Sequence, residues 1–132
     1  MSQPKGDDSR DPHEWFEEYV SAFVRDRCTC VYCGFQGTSY SDWRQLVVDH
    51  FIPDAAGGET SARNYVVSCY RCNQFKGGYD PSEGRYTFPP PEEKERTALV
   101  KKARAEIEKR EKDQGRPGFY RFIMQEISRL KA

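Results

Sequence analysis

Hydrophobic residues are concentrated in two amphipathic stretches, one near each end of the chain, and in two short apolar runs between them. The first stretch follows Asp11-Pro12, where an aspartate can cap a helix and a proline can occupy its first turn. Its apolar residues recur at helical spacing: Trp15, Phe16, Tyr19, Val20, Phe23 and Val24. The pattern predicts an N-terminal helix that packs an aromatic-rich face against the core.

The two apolar runs in the middle, residues 45–50 and 65–68, have the length of strands. Residues 69–76 then have the pattern of a short helix, which Gly77-Gly78 ends. A connector rich in glycine and proline follows over residues 79–91. This order predicts two strands followed directly by a helix.

The second amphipathic stretch lies in the C-terminal third of the chain. Glu92 and Glu93 begin a predicted helix with a narrow apolar stripe, formed by Leu99, Val100, Ala103 and Ile107. Gly115 is expected to end this helix. A second stripe predicts a final helix, and its members are Phe119, Ile123, Ile127 and Leu130. We therefore predict a helical extension over residues 91–131.

A chain of 132 residues has room for one modest core. We expect a single domain over residues 11–132, preceded by a disordered polar arm over residues 1–10. Charged residues make up 32% of the chain, and no apolar run has the length of a membrane span or the form of a signal peptide. These features predict a protein without membrane contact, located in the cytoplasm, where thiols stay reduced.

The net charge is zero, but the charges are unevenly distributed. Residues 1–20 carry six acidic and two basic side chains, whereas residues 98–132 carry ten basic and five acidic ones. Such asymmetry favours a basic face that contacts phosphates. Ordinary solvated helix surfaces explain it equally well.

Two cysteine pairs, Cys30-x-x-Cys33 and Cys69-x-x-Cys72, have the spacing of ligands to one tetrahedral ion. Four thiolates satisfy Zn²⁺ completely, so such a site is structural. A redox dithiol or disulfides are the alternatives, but neither explains the glycines at positions 34 and 77. Cys28 is left outside the predicted site. The zinc would clamp the segment before the first strand to the helix that begins near Cys69.

A second constellation accompanies the cysteines: Asp49-His50 at a strand end, then Gly57-Gly58, Asn64, Cys72-Asn73 and Lys76-Gly77. Together with the cysteine pairs, and in this order, it resembles the HNH endonuclease family in its zinc-stabilised form. The resemblance covers about residues 28–78. It implies a small ββα-metal core (the His-Me finger) with a structural four-cysteine zinc site. Together with the helices predicted from the hydrophobic pattern, the expected fold class is α+β, with this core flanked by an N-terminal helix and two C-terminal helices.

The residue types suit metal-assisted hydrolysis of a phosphodiester. An imidazole near neutral pKa can deprotonate water, and carboxylate or amide oxygens are hard ligands for Mg²⁺ or Mn²⁺. The resemblance assigns His50 as the general base, Asp49 and Asn73 as ligands of the catalytic ion, and Asn64 as the residue that orients the imidazole. Asn73 stands where the family name has a histidine. Because side chains alternate along a strand, Asp49 and His50 are expected on opposite sides unless the backbone twists.

The leading hypothesis is a metal-dependent endonuclease that nicks or cleaves DNA, most simply double-stranded DNA. The alternative is a zinc-knuckle module that binds DNA or protein without catalysis. A third is an interaction protein whose C-terminal helices pair with a second copy or with another protein. Arg63, Arg71 and Lys76 flank the predicted site and are candidate phosphate contacts, although a solvated surface role is as good an explanation for each.

Overall fold

The computed structural model describes residues 12–131, and its helices and strands follow the predicted order. The predicted disorder of residues 1–10 and the capping role of Asp11 lie outside the described residues. The elements are helix α1 (Pro12–Arg25), helix α2 (Tyr40–Trp43), strand β1 (Leu46–His50), strand β2 (Tyr65–Cys69), helix α3 (Tyr70–Lys76) and helix α4 (Glu93–Arg110). Two 3₁₀ turns, Asp54–Ala56 and Ala62–Asn64, lie in the connection between the strands.

Strands β1 and β2 form an antiparallel pair whose register runs from Leu46 opposite Cys69 to His50 opposite Tyr65. Every residue of both strands is buried. Helix α3 begins at the residue after β2 ends, so the hairpin and this helix form a ββα unit. The predicted α+β architecture, with its small ββα core and flanking helices, is confirmed.

Helices α1 and α4 complete the core from outside the ββα unit. Helix α1 contributes Tyr19, whose ring meets that of Tyr65 edge to face with the centroids 5.7 Å apart. Helix α4 buries its predicted stripe, and three of its members are at most 4% exposed: Leu99, Ala103 and Ile107. Helix α4 also holds the end of α3, because the Arg110 guanidinium donates hydrogen bonds to the carbonyl oxygens of Phe75 and Lys76 at 3.0 and 2.9 Å.

Two expectations about the helices are wrong. Half of the predicted core face of α1 is exposed: Phe16, Val20 and Val24 lie on its outer side. In addition, Gly115 does not end the C-terminal helix, because its backbone is right-handed and helical (φ −69°, ψ −62°). A side-chain Cβ at Gly115 would lie 2.7 Å from the Phe75 ring, so a larger residue there would require that ring to move.

Beyond α4 the chain remains helical to the end of the described residues. A wider π-helical segment (Glu111–Gly115) leads to α5 (Arg116–Gly118), a second π-helical segment (Phe119–Met124) and α6 (Gln125–Lys131). We refer to residues 116–131 as the arm. Within residues 12–131, no helix combines the length and apolar character required to cross a bilayer.

Candidate metal centre and active site

The four paired cysteines lie together between the knuckle that precedes α2 and the start of α3. Their sulfur atoms are all within 4.8 Å of one another. The Sγ atoms of Cys33 and Cys69 are 3.7 Å apart. A tetrahedral ion with metal–sulfur bonds of about 2.3 Å requires sulfur atoms about 3.8 Å apart. The set therefore fits Zn²⁺, and the predicted clustering is confirmed.

Local backbone geometry explains why these cysteines converge. The Gly34 amide donates to the Cys30 carbonyl at 2.9 Å, and Gly34 has a left-handed φ of 82°, which closes the knuckle turn. The Val31 amide donates to the Val67 carbonyl at 2.9 Å and so ties the knuckle to β2. Cys28 is not part of the four-sulfur cluster of the described residues.

The electrostatics of the cluster favour a bound cation. Hydrogen bonds from Cys69 and Cys72 lower the pKa of Cys30, whereas the hydrogen bond with Cys30 is the main factor that raises the pKa of Cys69 and of Cys72. Deprotonation of one sulfur thus opposes deprotonation of its neighbours, because adjacent thiolates repel each other. A divalent cation removes this conflict and lets all four act as thiolate ligands.

Asp49 is held by two buried donors. The Tyr32 hydroxyl donates to Asp49 Oδ2 at 2.7 Å, and Lys76 Nζ lies 3.0 Å from the same oxygen. Burial and then the Asp49 charge raise the pKa of Tyr32 well above its ordinary value, so this hydroxyl stays protonated and donates. Lys76 is fully buried and also donates to the backbone carbonyl of His50 at 3.1 Å. One ammonium group therefore contacts both residues of the Asp49-His50 pair.

The His50 imidazole lies on a different side of the strand. Its Nε2 is 3.4 Å from Thr60 Oγ1, and its ring meets the Tyr65 ring edge to face at 5.3 Å. The contacts of Asp49 and His50 thus follow the expected alternation along β1. The hairpin therefore places the two side chains in different environments. The buried amine of Lys76 contacts the Asp49 carboxylate and the backbone carbonyl of His50, and so links the two residues.

Asn64 fixes the loop that follows His50. Its side chain accepts from the Ile52 amide at 2.9 Å and donates to the carbonyl oxygens of Ile52 and Glu59 at 3.0 and 2.8 Å. Glu59 precedes Thr60, the hydroxyl partner of His50, so Asn64 sets the position of that partner. Gly58 permits the same close packing, because a Cβ there would lie 1.8 Å from the Ile52 carbonyl oxygen.

Asn73 is half-buried on α3, one turn before Lys76. Residues three apart on a helix lie on neighbouring positions of one face, and Lys76 reaches Asp49. Asn73 therefore lies on the same short helix, α3, as the ammonium partner of Asp49 on β1. An amide oxygen and a carboxylate from these two elements are a fitting donor set for a hard divalent cation.

The three candidate phosphate contacts are all engaged within the protein. Arg63 forms a forked pair with Glu59, and its guanidinium carbon lies 3.7 Å from the centre of the Phe88 ring. Arg71 pairs with Glu111 at 2.9 Å and donates to Cys72 Sγ at 3.5 Å. Lys76 has no exposed surface. DNA contact by these residues stays a prediction, and the structure gives Arg71 and Lys76 positions that support the two sites.

Sequence reasoning missed two residues of the Asp49-His50 environment, Tyr32 and Thr60. Tyr32 lies between Cys30 and Cys33, and the spacing of these cysteines predicts a metal site without assigning a role to the tyrosine between them. Thr60 lies in the loop after Gly57-Gly58, where hydroxyl residues are common. A signal was present for Tyr32, because a tyrosine next to a knuckle cysteine is large and needs a buried acceptor for its hydroxyl.

Comparison with known proteins agrees with this geometry. Residues 30–78 match the model of the HNH endonuclease family. The matched residues include the hairpin, the four cysteines and helix α3. The searches of curated proteins and of solved structures gave no match to the chain.

Replacing Lys76 with methionine should destabilise the folded protein. The substitution keeps an unbranched apolar stem but leaves the buried Asp49 carboxylate without its cation, and breaking such a pair costs about 3–5 kcal/mol. We expect a loss of that size in the free energy of unfolding, measured by urea denaturation with zinc present and no other divalent ion.

Lys102→Met is the matched control, because Lys102 pairs with Glu83 at the surface and exposed pairs contribute only about 0–1 kcal/mol. The double variant Asp49→Asn/Lys76→Met should recover much of the loss, since it removes both charges. Equal losses for Lys76→Met and Lys102→Met would contradict the structural role of the buried pair.

Proposed function

We propose that this protein is a metal-dependent DNA endonuclease. In this proposal His50 is the general base, Asp49 and Asn73 hold Mg²⁺ or Mn²⁺, and Zn²⁺ is bound by the four cysteines as a structural ion. The observation that carries the proposal is the junction of β1 with α3: β1 ends in a buried carboxylate and a histidine, and α3, which carries Asn73, supplies the ammonium partner of that carboxylate. This junction lies within the residues that match the HNH family.

The roles of the protein groups follow from their surroundings. The His50 imidazole takes a proton from the attacking water, and its position is set by Thr60 and Tyr65. Asn64 acts as a positioning residue, because its hydrogen bonds fix the loop that carries Thr60. The divalent cation, when bound, supplies positive charge to the phosphate and the leaving oxygen.

A non-catalytic zinc-knuckle module is the second candidate, and the four-cysteine cluster alone would serve it. That function does not need a buried carboxylate beside a histidine at the end of a strand. We favour the nuclease for this reason, with DNA, most simply double-stranded, as its substrate. We also propose a cytoplasmic location, which suits five cysteines that form no disulfide within residues 12–131.

The direct test is incubation of purified protein with supercoiled plasmid. Parallel samples contain Mg²⁺, Mn²⁺ or no added divalent ion, and the zinc content of each is measured. Nicked or linear plasmid that appears only with Mg²⁺ or Mn²⁺ supports the nuclease. Binding without cleavage in all samples, with zinc retained, supports the knuckle module.

Asn73→Ala should lower cleavage mainly by weakening the hold on the divalent cation. We expect the Mg²⁺ or Mn²⁺ concentration for half-maximal cleavage to rise, with partial recovery of the rate at high metal concentration. The neighbouring exposed residue provides a matched control, and Gln74→Ala should leave the metal dependence unchanged. A reduced rate that no metal concentration improves would remove Asn73 from the ligand set.

A further inference from the structure

The arm has an unusually apolar and exposed surface. Seven of its hydrophobic side chains are between 38% and 71% exposed: Phe119, Tyr120, Phe122, Ile123, Met124, Ile127 and Leu130. The substantial packing partners of the arm are its own adjacent helical turns. Its base is fixed to α3, because Gly115 passes close to Phe75 and Glu111 pairs with Arg71.

The arm has two different sides. Phe119, Ile123 and Ile127 are four residues apart and Leu130 follows three later, which places them along one side of a helix. Positions two residues along lie about 200° round the helix axis. Arg121 and Arg129 therefore lie on the opposite side, where Arg129 also pairs with Glu126.

The exposed apolar area suits a helix partner with the same stripe. The four side chains of the stripe are between 39% and 71% exposed, so one side of the arm leaves an apolar patch of roughly 400 Å² open. This area lies within the range of the largest patches found on ordinary monomers, about 300–600 Å². Two such patches together bury about 800 Å², which is the size of a weak, reversible contact.

We propose that the arms of two copies of this chain pair as antiparallel helices. In this register Phe119 lies opposite Leu130 of the partner subunit, and Ile123 lies opposite Ile127 of the partner subunit. One two-fold axis then relates both contacts, as an isologous interface requires. The antiparallel direction also keeps residues 12–115 of the two subunits apart, because they lie at opposite ends of the paired arms. The basic sides of both arms stay outside the interface.

The first test measures the oligomeric state of the full chain by sedimentation over a range of concentrations, without DNA. The wild type should dimerise reversibly. Ile123→Asp should raise the dimer dissociation constant about tenfold or more, because it puts a charge into the apolar contact. The matched control is Gln125→Asp, which adds the same charge on the opposite side of the helix and should leave dimerisation unchanged.

A second experiment tests the direction of pairing. Chains with Ile123→Cys and chains with Ile127→Cys, both with Cys28→Ser and zinc bound, are mixed and oxidised. Antiparallel pairing predicts disulfide-linked mixed dimers in excess over the two homodimers, whereas an excess of homodimers would overturn the register.

Two other results would overturn the proposal. A wild type that stays monomeric at every concentration excludes the pairing. A dimer that survives Ile123→Asp but is lost in Val20→Asp would assign the interface to the exposed side of α1. None of these measurements depends on cleavage, so the outcome is independent of the proposed nuclease activity.

Discussion

His50→Ala is expected to reduce the rate of plasmid cleavage by about 10²–10⁴-fold, the usual contribution of a general base. The substitution removes the imidazole but leaves both proposed ligands, Asp49 and Asn73, in place. The Asp49–Lys76 pair is also untouched, since Lys76 reaches His50 only through its backbone carbonyl. Binding of DNA and of the divalent cation should therefore be largely retained.

Three measurements on the same preparation separate loss of chemistry from loss of structure. Zinc content, the urea denaturation midpoint and DNA affinity should match those of the wild type while the single-turnover cleavage rate falls. Thr60→Val is a graded comparison, because it removes only the hydroxyl near Nε2 and should reduce the rate less than His50→Ala. Full cleavage by His50→Ala would show that this histidine is only a packed residue at a strand end.

Cys72→Ser is expected to abolish the folded state under conditions in which the wild type is stable. Binding of structural Zn²⁺ contributes about 10–16 kcal/mol in small zinc domains, which is as large as the whole stability of a typical domain, about 5–15 kcal/mol. Cys72 is buried at the first turn of α3, so loss of its thiolate also detaches that helix from the knuckle. Elemental analysis should show zinc loss, and circular dichroism should show loss of helical signal.

Cys28→Ser is the matched control for this experiment. Its sulfur lies outside the four-sulfur cluster, so the variant should keep one zinc ion per chain and a wild-type denaturation curve. Proportional zinc loss in Cys28→Ser would show that the pairing of ligands is wrong. A folded, zinc-free Cys72→Ser protein would show that the metal is dispensable for the fold.

The secondary-structure elements that depend on neighbouring residues in the sequence were predicted correctly. Strands β1 and β2 and the end of α3 at Gly77 follow from apolar runs and a glycine. The four-cysteine site was also predictable, because two Cys-x-x-Cys pairs are the typical ligand spacing of a tetrahedral zinc ion. The order of Asp49-His50, Asn64 and Asn73 relative to those cysteines indicated a resemblance to the HNH endonuclease family, whose model matches residues 30–78, although the roles of these residues stay predictions.

The features that sequence reasoning missed depend on contacts between distant segments. Gly115 is a residue type that commonly ends helices, yet the helix continues through it, and the glycine instead lies close to the Phe75 ring of another helix. Phe16 and Val24 follow the helical period of a core face, but only the side of α1 that faces the hairpin is buried. The complete burial of Lys76 was equally hidden, because an isolated lysine is ordinarily a surface residue.

The buried amine of Lys76 has a consequence for the order of events in the cell. It already balances the charge of Asp49, so the folded state does not require Mg²⁺ or Mn²⁺ to be present. If Asp49 holds Mg²⁺ or Mn²⁺ as proposed, the protein can fold and persist as an inactive molecule until that ion and the substrate bind. Zinc would then be required for folding, whereas the catalytic ion could bind to and dissociate from a protein that stays folded. Removal of the catalytic ion would stop cleavage reversibly and leave the fold intact.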